Sequence, residues 1–229
     1  MDNLKEELQQ LVFQLGGDLF GVAGFDDVAD KIAQEYGDTY KDFDRAISIA
    51  VFFPKTVLNE LADGPTHTYL YYYDVINARL NDIALRVSNY LQKKGFKTFP
   101  IPASQRVSES KLAGIFSHRL AAHRAGLGWI GKSCSLINPQ VGPRLRLVTV
   151  LTDAPLTADK PFGEGRCGSC TACQEACPPQ AIKGVPYNIQ DSLDVRLDAQ
   201  SCHDYLSKVR QSFGKRICGR CLAVCPWGK

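Results

Sequence analysis

Four cysteines in CGSCTACQEACPPQAI, residues 167 to 182, stand at spacings of two, two and three, with Pro178 directly after the last. Thiolates are soft, strongly donating ligands of the kind that iron–sulfur clusters need. Cys167, Cys170 and Cys173 form a short loop able to wrap one face of a cubane. Cys177 falls in the next turn, and in two-cluster ferredoxins the fourth cysteine of such a run ligates the other cluster. That rule requires a second run. CGRCLAVCP supplies it with Cys218, Cys221 and Cys225 ahead of Pro226, and Cys202 in AQSCHDY completes the count. The assignment that closes gives Cys167, Cys170, Cys173 and Cys225 to one 4Fe–4S cluster, and Cys177, Cys202, Cys218 and Cys221 to a second. CxxC pairs also hold zinc, which is the alternative metal. Cys134, in GKSCSL, lies outside both runs and reads as a buried small hydrophobe.

Other residue groups offer weaker chemistry. His118 and His123 in SHRLAAH are five apart, which turns them away from each other on a helix and disfavours a shared metal. One of them could face a cofactor or substrate. The aromatic run TYLYYYD at 68 to 74 reads as a helix start packed on a sheet, with a stacking platform for a base or cofactor as its rival.

A cluster module of this kind must be carried by something larger. The chain has 229 residues, 45% hydrophobic and 22% charged, which is the composition of a soluble globular protein. No apolar run reaches the ~18 residues that a membrane span needs. The start MDNLKEELQQLVFQL is acidic and amphipathic, unlike a signal peptide. Nine cysteines in a reducing compartment point to metal rather than disulfides, so a cytoplasmic location is expected. The net charge of +3 is uneven: residues 1 to 60 hold 12 acidic and 5 basic side chains, the remainder 12 and 22. That basic remainder suits buried anionic clusters or an acidic electron-transfer partner, with nucleic acid the less favoured partner.

Hydrophobic periodicity predicts a helix over 2 to 15, a strand over 19 to 23, and a helix capped by Asp26 or Asp27 and stopped at Gly37. RAISIAVFF, 45 to 53, is the strongest central strand. A long helix over about 69 to 94 follows, then a strand at 97 to 101 whose Pro100 favours a sheet edge. A helix over about 110 to 125, the loop GLGWIGKS and a strand at 144 to 152 complete an α/β domain, a mixed sheet with covering helices. The Pro/Gly-rich APLTADKPFGEGR suggests a linker, so the division expected is 1–157 for this domain and 158–229 for a small ferredoxin-like domain. GLGWIGK lacks the glycine spacing and the preceding strand of a dinucleotide-binding turn.

RAGLGWIGKS at 124 to 133, INPQVGPRLRLVTVLTDAPL at 137 to 156, CGSCTACQEACPPQAI and ICGRCLAVCPWG at 217 to 228 together resemble the epoxyqueuosine reductases and their relatives. The resemblance implies an N-terminal domain that binds base-off cobalamin, packed on a double-cluster domain, with a fold and cofactor set similar to those of reductive dehalogenases. It implies that Gly126, Gly128, Trp129, Gly131 and Lys132 border the corrin or the nearer cluster. Electrons would pass from a low-potential donor such as ferredoxin or flavodoxin, through the clusters, to cobalt. Two departures stand out. The family's essential Asp corresponds to Leu112, twelve residues ahead of Arg124, which leaves Glu109 and His118 as candidate acids. The chain also stops two residues after Trp227, where the family continues with a helical extension suited to tRNA. The expected function is thus a reductase of a corrinoid or corrinoid protein. The alternatives are an electron-transfer or docking protein without cobalamin, and a tRNA-modifying reductase with a relocated proton donor.

Overall fold

The first helix, α1 (Asp2–Gln14), turns Leu8 and Val12 fully inward, as its apolar spacing requires. A computed structural model describes residues 2–37, 40–105, 112 and 114–228 of the chain. After α1 the backbone reverses at Gly16, whose φ of 85° is open to glycine without strain. A Cβ at Gly17 would lie 2.5 Å from Val12 Cγ1, so that close approach also demands glycine.

Strand β1 (Leu19–Gly24) follows, then helix α2 (Ala29–Tyr36), which stops at Gly37. Neither Asp26 nor Asp27 caps α2. Its N-cap is Val28, with no side-chain bond, because both carboxylates are engaged elsewhere. Asp26 pairs with Arg45 at 3.2 Å and Asp27 with Arg124. Strand β2 (Arg45–Phe52) pairs antiparallel with β1, Leu19 opposite Ala50 and Gly24 opposite Arg45.

Pro54 ends β2 and opens the short helix α3 (Lys55–Asn59), and α4 (His67–Lys93) comes next. In α4, Leu80, Ile83, Val87 and Leu91 keep the helical period and are fully buried. Removing each from water contributes about 2 kcal/mol. Tyr90 and Lys94 near its end reach Glu7 of α1, at 2.6 and 2.9 Å.

Strand β3 (Thr98–Ile101) precedes α5 (His118–Arg124), a helix much shorter than the periodicity over 110 to 125 predicts. It starts where Ser117 Oγ accepts from the Leu120 amide, a local cap that the apolar pattern does not reveal. GLGWIGKS is not wholly a loop. Strands β4 (Trp129–Ile130) and β5 (Leu136–Ile137) make a small antiparallel pair. Strand β6 (Leu145–Thr152) pairs antiparallel with β3, so the main sheet has the order β1-β2-β6-β3. Pro100 therefore sits on the terminal strand, where its missing N–H costs the sheet little.

Beyond residue 170 come α6 (Ala172–Glu175), α7 (Ala199–Phe213) and α8 (Arg220–Ala223). Asp198 caps α7 by accepting from the Ser201 amide at 2.9 Å, and left-handed Gly214 ends it. The chain divides into two units. The first comprises Met1–Val51, Ile76–Leu127 and Arg146–Gly163, and the second Phe52–Val75, Gly128–Leu145 and Glu164–Lys229. Phe52–Val75 and Gly128–Leu145 thus cluster with the cysteine-bearing segment, although a linear split at 157/158 places them ahead of it. Phe53 shows the reason locally: its amide donates to Arg144, and its ring stacks on Tyr69 at 5.3 Å. No helix among the described residues is long and apolar enough to cross a membrane.

Candidate metal centres

Local hydrogen bonds set the cysteines before any metal is considered. In the first run the Cys170 amide donates to Cys167 O, and Gly168 takes a positive φ of 50° to permit that turn. α6 carries Cys173, and the Cys177 amide donates to Gln174 O just beyond it. Cys202 lies in the first turns of α7, its amide on the Asp198 carbonyl. In the last run Gly219, at φ 84°, turns the chain into α8, which carries Cys221, and the Cys225 amide donates to Leu222 O. A Cβ on Gly219 would stand 2.6 Å from Leu61 Cδ1. All eight of these cysteines are partly buried and none is in a disulfide.

The more deeply buried thiols act on one another. Burial pushes the Cys173 thiol up to about 11, with Cys167, Cys225 and Cys170 adding to the rise. Burial also raises Cys225, and Cys167 and Cys170 again contribute. Cys221 is raised by burial first and then by Cys218, Cys173, Cys177 and Cys202. Cys218 is raised by burial and by Cys177, against a hydrogen bond from the Arg220 amide and the Arg220 charge. Cys225 thus stands with the first three cysteines, while Cys221 stands near Cys177, Cys202 and Cys218 and also near Cys173. Burial thus disfavours the thiolate at Cys173, Cys218, Cys221 and Cys225, and bound iron would supply the charge that offsets it. The donor set therefore fits the two clusters. Among the described residues, no three His, Cys, Asp or Glu side chains gather tightly enough for a single ion. A cubane differs in kind, since each of its four thiolates binds a different iron.

The glycine-rich segment flanks the first run. A Cβ on Gly131 would lie 3.4 Å from Cys167 Sγ and 2.8 Å from Ile137 Cγ1. Lys132 Nζ donates to the carbonyls of Gly168 and Cys170, at 2.7 and 3.2 Å, clasping the turn between two cysteines. Gly128 faces backbone: a Cβ there would be 2.2 Å from Ile137 O. Trp129 is buried and meets Trp227 edge-on at 4.8 Å. Gly126 belongs to the first unit, where it lines an open cleft of about 370 Å³ with Lys5, Gln9, Phe20 and Lys160.

Of the two candidate acids, His118 lies among the described residues. His118 is partly buried, with Nδ1 2.8 Å from Thr149 Oγ1 and Nε2 3.0 Å from the Pro102 carbonyl. Burial holds its pKa down to about 4, Arg146 and Arg119 reinforcing and the Pro102 carbonyl opposing. Both ring nitrogens are occupied and the ring stays neutral, which is the setting of a structural histidine. Glu109 lies outside the described residues. Tyr69 is buried against Phe53, while Tyr71 is 66% exposed, so the aromatic run packs through its first ring only in part. Cys134 is buried, as its isolation from the runs predicts, and accepts from Arg196 Nη1 at 3.6 Å. Arg220, inside CGRC between two cysteines, escaped notice in the sequence although its position between ligands was visible there.

Comparison with known proteins agrees with this geometry. Residues 166–228 match the family described as a 4Fe-4S double cluster binding domain. An epoxyqueuosine reductase of Pseudomonas aeruginosa is 32% identical over 169 residues, covering 69% of this chain and 41% of that protein. One from Bacillus cereus is 36% identical over 126 residues, covering 51% and 30%. The chain thus spans less than half the length of these relatives. Among solved structures, an epoxyqueuosine reductase bound to a modified tRNA stem loop aligns with a TM-score of 0.63 at 24% identity, over 99% of this chain and 65% of that one. A catabolic reductive dehalogenase aligns with a TM-score of 0.74 at 20% identity, over 98% and 32%. At those identities the structural likeness speaks for the fold alone. Cysteine spacing, the double-cluster domain and a relative 32% identical over 69% of the chain place it in the epoxyqueuosine reductase-like family of double-cluster iron–sulfur proteins.

Proposed function

We propose that this chain is an iron–sulfur reductase acting on a modified nucleoside in tRNA, by analogy with the relatives named epoxyqueuosine reductase. The observation that carries it is a double-cluster domain over residues 166–228 whose eight cysteines are partly buried and free of disulfides, in a chain 32% identical to such a relative over 169 residues. In this reading Cys167, Cys170, Cys173 and Cys225 hold one 4Fe–4S cluster, and Cys177, Cys202, Cys218 and Cys221 the other. Bound there, such clusters supply one-electron transfer at low potential. Lys132 keeps the first cysteine turn in shape through its two carbonyls. Gly131 lets the β4–β5 segment approach Cys167, which shields that side from water. Converting an epoxide to an alkene takes two electrons and two protons and releases water. A low-potential ferredoxin or flavodoxin would supply the electrons singly, in the cytoplasm. Leu112 cannot donate a proton, so the acid must come from another residue or from the substrate's own surroundings.

The corrinoid reading, first in expectation from the sequence, has less support. It rests on fold likeness to the dehalogenases, and the cleft at Gly126 has the size for a drug-sized molecule rather than a whole corrinoid.

The deciding experiment is anaerobic. The chain is reconstituted, its iron counted, and the holoprotein incubated with epoxyqueuosine-containing tRNA and a low-potential reductant, with and without cob(II)alamin. Nucleosides are then resolved by mass spectrometry. About eight irons per chain and conversion to the deoxygenated nucleoside support the proposal, and dependence on cob(II)alamin adds the corrinoid. Full iron with no conversion in either mixture overturns it and leaves an electron carrier.

A further inference from the structure

A buried N–H without a partner is rare enough to call for an explanation. Arg220 Nε is such a donor: it is shut off from solvent and no acceptor among the described residues meets it. The residue opens α8 between Cys218 and Cys221, directly after left-handed Gly219. That turn aims the Arg220 amide at the Cys218 sulfur, and the guanidinium charge acts on Cys218 as well. Tyr205, one turn beyond Cys202 on α7, feels Cys218, Arg220 and Cys177 as well.

We propose that Arg220 donates its Nε–H to sulfur of the cluster held by Cys177, Cys202, Cys218 and Cys221, and with its charge raises the reduction potential of that cluster alone. The inference rests on the ligand assignment given above. Reduction adds one electron to the cluster, with no bond made or broken. A hydrogen bond to sulfur and an adjacent cation both favour the more negative, reduced form, so each raises the potential. Guanidinium suits this place because it is a fixed cation with a rigid fork of donors. A lysine at the same position keeps the charge but has no second donor at the Nε position. Glutamine removes the charge.

The test is an EPR-monitored titration of the anaerobic holoprotein with dithionite, for the parent, Arg220→Lys and Arg220→Gln. Cys202→Ser identifies which cluster signal belongs to the second set, as the one it abolishes or alters. The expected result is a graded fall in the midpoint of that signal, parent above Arg220→Lys above Arg220→Gln, with the other midpoint unmoved. Unchanged midpoints in both variants overturn the inference, since a trapped water would then be the partner of Nε. Equal movement of both midpoints overturns it too. Should Arg220→Gln not retain its iron, Arg220→Lys decides alone by the same criterion. A parent without two cluster signals is a separate failure, of the ligand assignment itself.

Discussion

Acidification from pH 7 to pH 5 is expected to weaken the first unit through His118. Its imidazole, partly buried, bridges Thr149 on β6 and the Pro102 carbonyl within the same unit. Burial holds the folded pKa down to about 4 from the ordinary 6.5. Between those values the unfolded chain binds the proton and the folded one does not, so stability rises with pH across that window. The contribution is fully present above pH 6.5 and is lost as pH falls toward 4. The gap corresponds to about 3 kcal/mol in full, of which about 2 kcal/mol falls between pH 7 and pH 5. Guanidinium unfolding followed by circular dichroism, for the parent and His118→Gln at both pH values, measures it. Groups shared by the two proteins cancel in the difference. The parent should lose about 2 kcal/mol more than His118→Gln on acidification. Identical pH dependence in the two proteins would refute the argument, because the proton would then be taken up without cost in the folded state.

Three further outcomes follow from contacts at the cysteines. Cys225→Ser should disturb the signal of the cluster assigned to the first run, though Cys225 is far from it in sequence; loss confined to the other signal would reverse the wiring. Gly128→Ala places a Cβ within 2.2 Å of Ile137 O, backbone that cannot swing aside. A cost of about 3 kcal/mol is expected, read as a fall in melting temperature, and an unchanged melting temperature counts against it. Lys132→Met removes two charge-assisted hydrogen bonds to the Gly168 and Cys170 carbonyls, worth about 2 kcal/mol together. Iron should then pass to a chelator several-fold faster, and an unchanged rate would mean the turn holds without its clasp.

Much of the fold was legible because its signals are local. The inward faces of α1 and α4 follow from a 3.6-residue period, and β2, β3 and β6 from apolar runs bounded by glycine or proline. The errors have local causes of another kind. The predicted caps of α2 failed because Asp26 and Asp27 are claimed by Arg45 and Arg124, the latter distant in sequence. The start of α5 moved to His118 because a serine cap, not apolar spacing, fixes it. The β4–β5 pair was hidden because two-residue strands carry no periodicity.

The cysteine runs alone determined that this is a double-cluster chain, since a run of three close thiols followed by an outlying fourth demands a complementary run. Sequence also fixed which segments tie it to the reductases. Only the tertiary structure decided what surrounds those thiols. Lys132 reaches Gly168 and Cys170, far along the chain from it, and Gly128 must be glycine because the Ile137 carbonyl comes within reach of its Cα. Whether His118 can act as an acid was equally undecidable beforehand. Its proton affinity depends on burial and on partners at residues 102 and 149, and such environments exist only once distant parts of the chain have been brought together.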